Sequence, residues 1–137
     1  MNKDVKDIWT GALRSGEYQQ VEGKLWKCSE GYCCLGVLTD CFVEATGTLW
    51  EDATPPLGSY LSELVADWAG FTEEEREDQG NDGVDVILSP TAGGLDLSTC
   101  SLGFEHRRAS AINDNYMNGN EAKGSFNDIA DAIEENL

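Results

Sequence analysis

Apolar residues at the start of the chain recur with the period of an α-helix. Within residues 4–14 they fall at relative positions i, i+3, i+4, i+7 and i+8, which places them on one helical face. These residues are Val5, Ile8, Trp9, Ala12 and Leu13. Ser15 and Gly16 follow, and glycine commonly closes a helix in the left-handed conformation. The pattern predicts an amphipathic helix that ends near Gly16.

The segment after this helix has the pattern of a β-hairpin. Residues 18–21 and 24–27 are two short β candidates, and Glu22 and Gly23 separate them. A two-residue connection that contains glycine is typical of a tight hairpin turn. We therefore expect these two segments to pair, with a second turn at residues 29–31.

Residues 32–45 are mostly apolar and lack the strict alternation of a half-buried strand, which favours a buried helix. Cys34, Val37, Leu38 and Cys41 share one face of this predicted helix. A glycine in a helix interior costs about 1 kcal/mol relative to alanine. The presence of Gly36 therefore indicates a close neighbour on its face of the helix.

The rest of the chain predicts further helices and one more strand. The helices are expected at residues 61–68, 105–113 and 125–137, the strand at 84–88, and loops at 46–58, 79–85, 89–103 and 113–124. Ser125 and Asp128 have the spacing of a capping box, and so do Thr72 and Glu75, which begin a short polar helix or turn. We expect one α+β domain over residues 1–137, with about five helical segments around a small antiparallel sheet or hairpin.

The charge of the chain excludes one class of partner. Nine Lys and Arg stand against 26 Asp and Glu, which gives a formal net charge of −17. Proteins bind a nucleic-acid backbone through clustered cations, and the only adjacent basic pair is Arg107 and Arg108. We therefore expect no direct binding to the nucleic-acid backbone. The charge is interpreted either as a solubilising surface or as an acidic face for a basic protein or for imitation of DNA.

The location of the protein also follows from the pattern of apolar residues. No apolar stretch is long enough to cross a membrane, and the N-terminus lacks the apolar core of a signal peptide. We expect a cytoplasmic protein that does not bind a membrane.

The chain has five cysteines: Cys28, Cys33, Cys34, Cys41 and Cys100. This odd number favours free thiols over a disulfide framework.

Candidate catalytic and metal-binding groups are few. Four of the cysteines lie within residues 28–41 but lack the paired spacing of a structural zinc site. A helix N-terminus would lower the pKa of a thiol at Cys33 or Cys34, but a nucleophile also needs a base, and His106 is the only histidine. Residues 78–89 match a calcium loop incompletely. No nucleotide-binding or hydrolase motif occurs. We therefore expect no metal and no cofactor, and we favour a non-catalytic role.

Two motifs resemble those of small proteins from tailed phages and some bacteria. The first is W-x-x-A-L-R-S-G-x-Y-x-Q over residues 9–20, followed by G-x-L at 23–25 and Y-C-C-L-G-V-L at 32–38. The second is S-F-x-x-I-A-D-x-I-E over residues 125–134, after I-N-D at 112–114 where these proteins often have L-N-D. The resemblance is specific for a family rather than for an activity. It implies a phage-type accessory protein of the bacterial cytoplasm, and such proteins are often inhibitors or decoys that act on host machinery.

Aromatic and polar residues near these motifs are the binding candidates, because aromatic faces with a few fixed donors suit a planar ligand or a protein hot spot. The alternative is that the sheet packs on the first helix, with Trp26 in the core. The candidate set is Arg14, Tyr18, Gln20, Lys24, Trp26, Tyr32, Arg107, Arg108, Asn113 and Asp114.

The leading interpretation is a stoichiometric inhibitor or decoy of a host defence protein, with a homo-oligomer left open. One alternative is sequestration of a small signalling nucleotide, whose phosphates would need Arg14, Lys24, Arg107 or Arg108. Another is a small hydrolase that acts on nucleotides, with carboxylates or the Cys33-Cys34 pair at its centre. A third is a virion or assembly component.

Overall fold

Six α-helices and two small sheets make up the part of the chain that the computed structural model describes. That part is residues 1–88, 108–117 and 125–137, with the backbone alone for 115–117. The helices are α1 (Lys3–Arg14), α2 (Cys34–Thr46), α3 (Trp50–Ala53), α4 (Glu63–Ala69), α5 (Ala109–Met117) and α6 (Phe126–Asn136). The strands are β1 (Trp26–Lys27), β2 (Gly31–Tyr32), β3 (Arg76–Asp78) and β4 (Val84–Val86). These elements form a single α+β domain around one apolar core, which confirms the predicted fold class.

Helix α1 has the amphipathic form that the sequence predicts. The side chain of Asn2 accepts a hydrogen bond from the backbone N–H of Asp4 at 2.9 Å and so caps the first turn. Trp9 and Leu13 are buried on the inner face. The indole N–H of Trp9 donates to the carbonyl oxygen of Cys34 at 3.0 Å, which joins α1 to the start of α2. Gly16 follows the helix with a φ of 76°, as predicted.

Helix α2 lies in the core and contacts α1, α3, α4, α5 and β2. Its first six residues are all buried, and the sulfur of Cys33 caps it by accepting a hydrogen bond from the N–H of Gly36 at 3.4 Å. The close neighbour predicted for Gly36 is the backbone of Leu25. A Cβ atom at Gly36 would lie 1.6 Å from the carbonyl oxygen of Leu25.

The predicted pairing of residues 18–21 with 24–27 is wrong, because residues 26–27 pair with residues 31–32 instead. Strand β1 pairs antiparallel with β2, and Trp26 lies opposite Tyr32, so the turn at residues 28–30 closes the hairpin. Gln20 instead forms a parallel bridge with Tyr32. The Glu22–Gly23 step does not close a turn, because the N–H of Gly23 donates to Asp114 and the N–H of Leu25 donates to Gly58. Contacts distant in sequence therefore override the local turn signal.

The second sheet pairs β3 with β4, and a short 3-10 turn at Gly80–Asp82 connects them. Strand β4 confirms the predicted strand in a shorter form, and all three of its residues are buried. Its partner lies just after Thr72, whose backbone N–H donates to the Glu75 side chain at 2.9 Å. The short polar element predicted at Thr72 is therefore a turn that leads into a strand.

Two helices from the last third of the chain complete the core. Helix α5 extends to Met117, so the loop predicted from residue 113 is wrong over its first five residues. The reason is tertiary, since Ile112 and Asn113 are both buried. Helix α6 begins with the predicted capping box between Ser125 and Asp128 and packs against α1. The predicted loop at 89–103, most of the predicted loop before α6, and the start of the helix predicted at 105–113 lie outside the described residues.

None of the helices in the described ranges is long and apolar enough to cross a membrane.

Candidate functional site

The Asn113 side chain joins four parts of the chain in the core. Its Oδ1 atom accepts hydrogen bonds from Gln20 Nε2 at 3.0 Å and from the backbone N–H of Cys34 at 3.1 Å. Its Nδ2 atom donates to the carbonyl oxygen of Val21 at 2.7 Å. Gln20 Oε1 in turn accepts from the backbone N–H of Phe126 at 3.2 Å. Gln20 and Asn113, two of the predicted binding residues, are therefore buried and bonded within the fold.

Arg14, another predicted binding residue, connects the two halves of the sequence motif. Its guanidinium donates to Glu134 at 2.6 and 3.1 Å and to Asp131 at 2.5 Å. Both carboxylates belong to the second motif, on α6. Motif residues Trp9, Arg14 and Asn113 thus hold α1, α2, α5 and α6 together. At these three positions the motif residues stabilise the fold rather than line a binding site.

A ladder of four aromatic rings crosses the surface beside the hairpin. Tyr18 and Tyr32 lie 5.1 Å apart between ring centroids, Tyr32 and Trp50 6.0 Å, and Trp50 and Trp26 6.3 Å, all within the range of favourable ring contacts. The hydroxyl of Tyr18 donates to Asp40 at 2.7 Å. Burial, together with Asp40, raises the pKa of Tyr18. The structure therefore brings together Tyr18, Trp26 and Tyr32 of the predicted set.

The ladder ends in an open groove of about 420 Å³, which we call the aromatic groove. Its lining includes Trp26, Trp50, Glu51, the Pro55–Pro56 pair and Leu57. Trp26 is 49% exposed and Leu57 56%. The alternative that placed Trp26 in the core is therefore wrong. Strand β1 presents this indole to solvent because Leu25, the preceding residue, occupies the core position.

The basic residues predicted to bind a ligand have different environments. Lys24 lines the aromatic groove, and its ammonium donates to the carbonyl oxygen of Leu57 at 2.6 Å. Arg108 is held in a two-bond pair with Glu77, with distances of 2.7 Å from Nε and 2.8 Å from Nη2. Arg107 lies outside the described residues, as do His106 and Cys100.

A second depression of about 250 Å³ lies between Gly23, the Ser59–Tyr60 segment, the 3-10 turn and α5; we call it the polar cavity. Its lining includes Cys33, Ser59, Tyr60, Asp82, Ser110 and Asp114. Asp114, the last of the predicted binding residues, accepts a hydrogen bond from the N–H of Gly23 at 3.0 Å.

Behind this cavity lies a fully buried carboxyl group, Asp85. It accepts hydrogen bonds from the hydroxyl and backbone N–H of Ser110 and from the N–H of Val86. Burial raises the pKa of Asp85 to about 6, although these hydrogen bonds and the charge of Arg108 act in the opposite direction. The carboxylate thus supports the start of α5 while remaining costly to ionise.

The three buried cysteines of the described residues, Cys33, Cys34 and Cys41, lack the environment of a nucleophile. Cys33 does stand at the N-terminus of α2, but burial raises the pKa of its thiol to about 12. Burial also raises the pKa of Cys34 well above its ordinary value and that of Cys41 to about 11. Desolvation therefore outweighs the helix N-terminus that could activate Cys33 or Cys34. Within the described ranges, no three His, Cys, Asp or Glu side chains are grouped so as to hold a metal ion.

The raised pKa of Asp85 predicts a specific pH dependence of stability. Between its ordinary value of 3.8 and about 6, the folded protein binds more protons at this group than the unfolded chain does. The contribution of Asp85 to stability therefore falls as pH rises through that window, by on the order of 2–3 kcal/mol. In Asp85→Asn this loss is absent, so the variant should gain stability relative to the wild type between pH 4 and pH 7.

Urea denaturation at several pH values measures this difference. Asp52→Asn, which removes the same charge from an exposed position, corrects for the change in net charge. A stability difference between wild type and Asp85→Asn that stays constant with pH would contradict the prediction.

Several residues of the aromatic groove and the polar cavity, and Asp85 behind the latter, were not singled out from the sequence. Asp85 interrupts an apolar strand between Val84 and Val86, and an inward-facing charge in such a strand is a recognisable signal. Trp50 and the Pro55–Pro56 pair occupy the segment 46–58, which was predicted as irregular but contains the short helix α3. Tyr60 and Ser110 carry no local signal, because only the tertiary fold brings them together.

Comparison with known proteins places the chain in a family. The family described as Domain of unknown function (DUF8296) matches residues 1–137, so the chain belongs to it. No curated protein and no solved structure matches the chain.

Proposed function

We propose that this member of DUF8296 is a phage-type accessory protein that binds a basic host protein stoichiometrically, as an inhibitor or decoy, through the aromatic groove. The observation that carries the proposal is the exposure of Trp26 and Leu57 in a groove next to the prolines at 55 and 56. Tryptophan is enriched among the residues that dominate protein–protein binding energy. A half-exposed indole at the end of an aromatic ladder is such an anchor.

The grouping of exposed apolar residues supports this location. Trp26 and Leu57 both line the groove, whereas Leu49, which precedes α3 and is 60% exposed, lies outside the groove lining. Scattered exposed apolar residues are normal on a protein surface, whereas neighbouring ones mark interaction sites. Ile8 on α1 and Leu64 on α4 are also about half exposed, but they lie outside the groove lining.

Charge supports a basic partner. The chain carries a net charge of −17, and Glu51 lines the groove beside the two indoles. An arginine or lysine side chain of the partner would find an indole face for a cation–π contact and a carboxylate for an ion pair. The acidic field of the whole molecule would also accelerate association with a basic surface.

A protein partner is favoured over a nucleotide by the state of the cations. Recognition of phosphates would require unpaired Arg or Lys side chains. Arg14 and Arg108 are already bound to carboxylates. Of the predicted phosphate partners that the structure describes, Lys24 alone has no bond to a carboxylate, and its ammonium donates to the Leu57 carbonyl oxygen. A non-catalytic role is favoured over a hydrolase by the raised pKa values of Cys33 and Cys34.

Replacing Trp26 with alanine is expected to weaken partner binding by about 30-fold or more, the effect of losing a 2 kcal/mol hot spot. The melting temperature should change little, because the Trp26 side chain is half exposed. The matched control is Leu64→Ala, which truncates a side chain that is 50% exposed on α4. Its binding should equal that of the wild type.

The measurement has two stages. Quantitative mass spectrometry compares host proteins retained by immobilised wild type, Trp26→Ala and Leu64→Ala. The protein that depends on Trp26 is then purified, and its affinity and stoichiometry are measured by titration calorimetry. A 1:1 complex with a basic protein is the expected result. The proposal is overturned if no retained protein depends on Trp26, or if native mass spectrometry shows a bound nucleotide that is lost on denaturation.

A further inference from the structure

The geometry of the aromatic groove points to the form of its partner: we propose that the groove binds a proline-rich segment of a basic protein in the polyproline II conformation. The proposal rests on the function proposed above and names the kind of segment that the groove recognises. A groove of about 420 Å³ has room for about fourteen water molecules. That space suits a few residues of an extended chain rather than a folded element.

Two indole rings form the apolar wall of the groove. Trp26 and Trp50 both line it, with ring centroids 6.3 Å apart and ring planes inclined by 34°. A ring inserted between two others needs about 7 Å, twice the contact distance of carbon atoms, so a planar ligand does not fit between these indoles. They instead offer neighbouring surfaces on which pyrrolidine rings can pack. Aromatic-lined grooves are the surfaces on which proline-rich segments dock.

Hydrogen-bond donors in the groove favour a chain whose carbonyl oxygens are free. Within the described part of the chain, the indole N–H groups of Trp26 and Trp50 have no hydrogen-bond partner. The Lys24 ammonium uses one donor on the Leu57 carbonyl oxygen, and an ammonium has three. A polyproline II helix has no internal hydrogen bonds, so its carbonyl oxygens can accept from these groups. An α-helix already uses its carbonyl oxygens internally.

The backbone beside the groove is already bonded within the fold. The N–H of Leu25 donates to Gly58 at 2.8 Å, and its carbonyl oxygen accepts from Cys33 at 3.3 Å, so neither group is available to pair with an added strand. The N–H of Gly58 donates to the Pro55 carbonyl oxygen at 3.0 Å, which closes the turn at the prolines. The walls are therefore fixed before binding. A preformed groove and a preformed polyproline II segment both lower the entropic cost of association.

Charge favours a proline-rich segment that also carries arginine. Glu51 lines the groove, Asp52 follows it, and both side chains are exposed. Lys24 adds one positive charge to the lining, so the preference for a basic segment depends on Glu51 together with the field of the whole chain. An arginine beside the prolines would find a carboxylate and an indole face. A second copy of this chain is disfavoured, because two molecules with a net charge of −17 repel each other.

The experiment compares three synthetic peptides of equal length. The probe is a run of prolines with arginine at its centre; one control replaces the prolines by alternating glycine and serine, and the other replaces arginine by glutamate. Binding to the full chain is followed by titration calorimetry and by two-dimensional NMR of the indole N–H groups. The probe should shift the signals of Trp26 and Trp50 but not that of Trp9, which donates to Cys34 in the core. We expect the glycine–serine peptide to bind at least tenfold more weakly and the glutamate peptide at least threefold more weakly.

Two variants test the groups that the proposal assigns. Trp26→Phe keeps an aromatic ring but removes the indole N–H, and it should weaken binding of the probe about fivefold, the effect of one hydrogen bond. Its control, Leu64→Ala, alters an exposed side chain outside the lining and should leave the affinity unchanged. Glu51→Gln should remove most of the preference for arginine over glutamate, whereas Glu17→Gln, at an exposed position elsewhere, should retain it. Equal binding of the proline and glycine–serine peptides, unshifted signals of Trp26 and Trp50, or an unchanged affinity in Trp26→Phe would each overturn the proposal.

Capture of host proteins distinguishes a failure of this proposal from a failure of the function on which it rests. If a host protein depends on Trp26 but the proline peptide neither binds the groove nor displaces that protein, the proposed function stands and the polyproline II segment is wrong. If the proline peptide binds the groove but no host protein depends on Trp26, the preference of the groove stands and the inhibitor or decoy is wrong.

Discussion

Replacing Gly36 with alanine is expected to destabilise the native fold more than any other substitution considered for this protein. The added Cβ would lie 1.6 Å from the carbonyl oxygen and 2.5 Å from the carbonyl carbon of Leu25, distances at which atoms cannot coexist. Neither side can move freely. Leu25 is held because its N–H donates to Gly58 at 2.8 Å and its carbonyl accepts from Cys33 at 3.3 Å. We expect a loss of at least about 4 kcal/mol in the free energy of unfolding, the range of severe core overpacking.

Chemical denaturation followed by circular dichroism measures this loss. A variant that is already unfolded without denaturant would show that the loss exceeds the total stability of the wild type. The matched control is Gly11→Ala, since Gly11 lies inside α1 with no atom within 4 Å of its added Cβ. That substitution should stabilise the protein by about 0.5–1 kcal/mol through helix propensity. Similar stability of the Gly36→Ala variant and the wild type would contradict the close packing of α2 on Leu25.

Replacing Asn113 with alanine should have the second largest effect. The substitution removes a partner of Gln20 Nε2 and the hydrogen bonds to the Cys34 N–H and the Val21 carbonyl oxygen, all within the core. Each buried polar group that loses its partner costs about 1–3 kcal/mol. We therefore expect a loss of about 3–5 kcal/mol in the free energy of unfolding, measured by urea denaturation.

Asn113→Asp tests the same network without changing the side-chain volume. The carboxylate can still accept from Gln20 and Cys34, but it loses the donor to Val21 and adds a buried charge beside Asp114. We expect this variant to be strongly destabilised at neutral pH and to recover partly on acidification. The control is Asn127→Ala on the exposed face of α6, which should stay within about 0.5 kcal/mol of wild type. A mild effect of both Asn113 variants would refute a central role for this side chain.

These two residues illustrate different limits of sequence reasoning. Gly36 carries its own signal, because a glycine inside an apolar helix is unfavourable unless something lies against it. The sequence therefore predicted a close neighbour but not that it would be Leu25. Asn113 belongs to a recognisable motif, yet a motif does not distinguish a ligand-binding amide from one that holds the fold together. Only the three hydrogen bonds of Asn113 to residues distant in sequence decide that question.

Local interactions explain which elements the sequence determined by itself. Helices α1, α2 and α6 follow from the spacing of their apolar residues and from the groups at their ends, such as the capping box of Ser125 and Asp128. The net charge of −17 likewise follows from composition alone. All these features depend on residues a few positions apart, so the sequence contains them directly.

The tertiary structure alone decided what depends on residues far apart in sequence. The hairpin formed between β1 and β2 because Asp114 and Gly58 bind the segment that was predicted to turn. The exposure of Trp26, the pairing of Arg14 with α6 and the burial of Asp85 behind Ser110 were settled in the same way. Whether a polar group is buried, and whether it finds a hydrogen-bond partner, depends on which distant segments pack together. A local sequence pattern therefore cannot predict it.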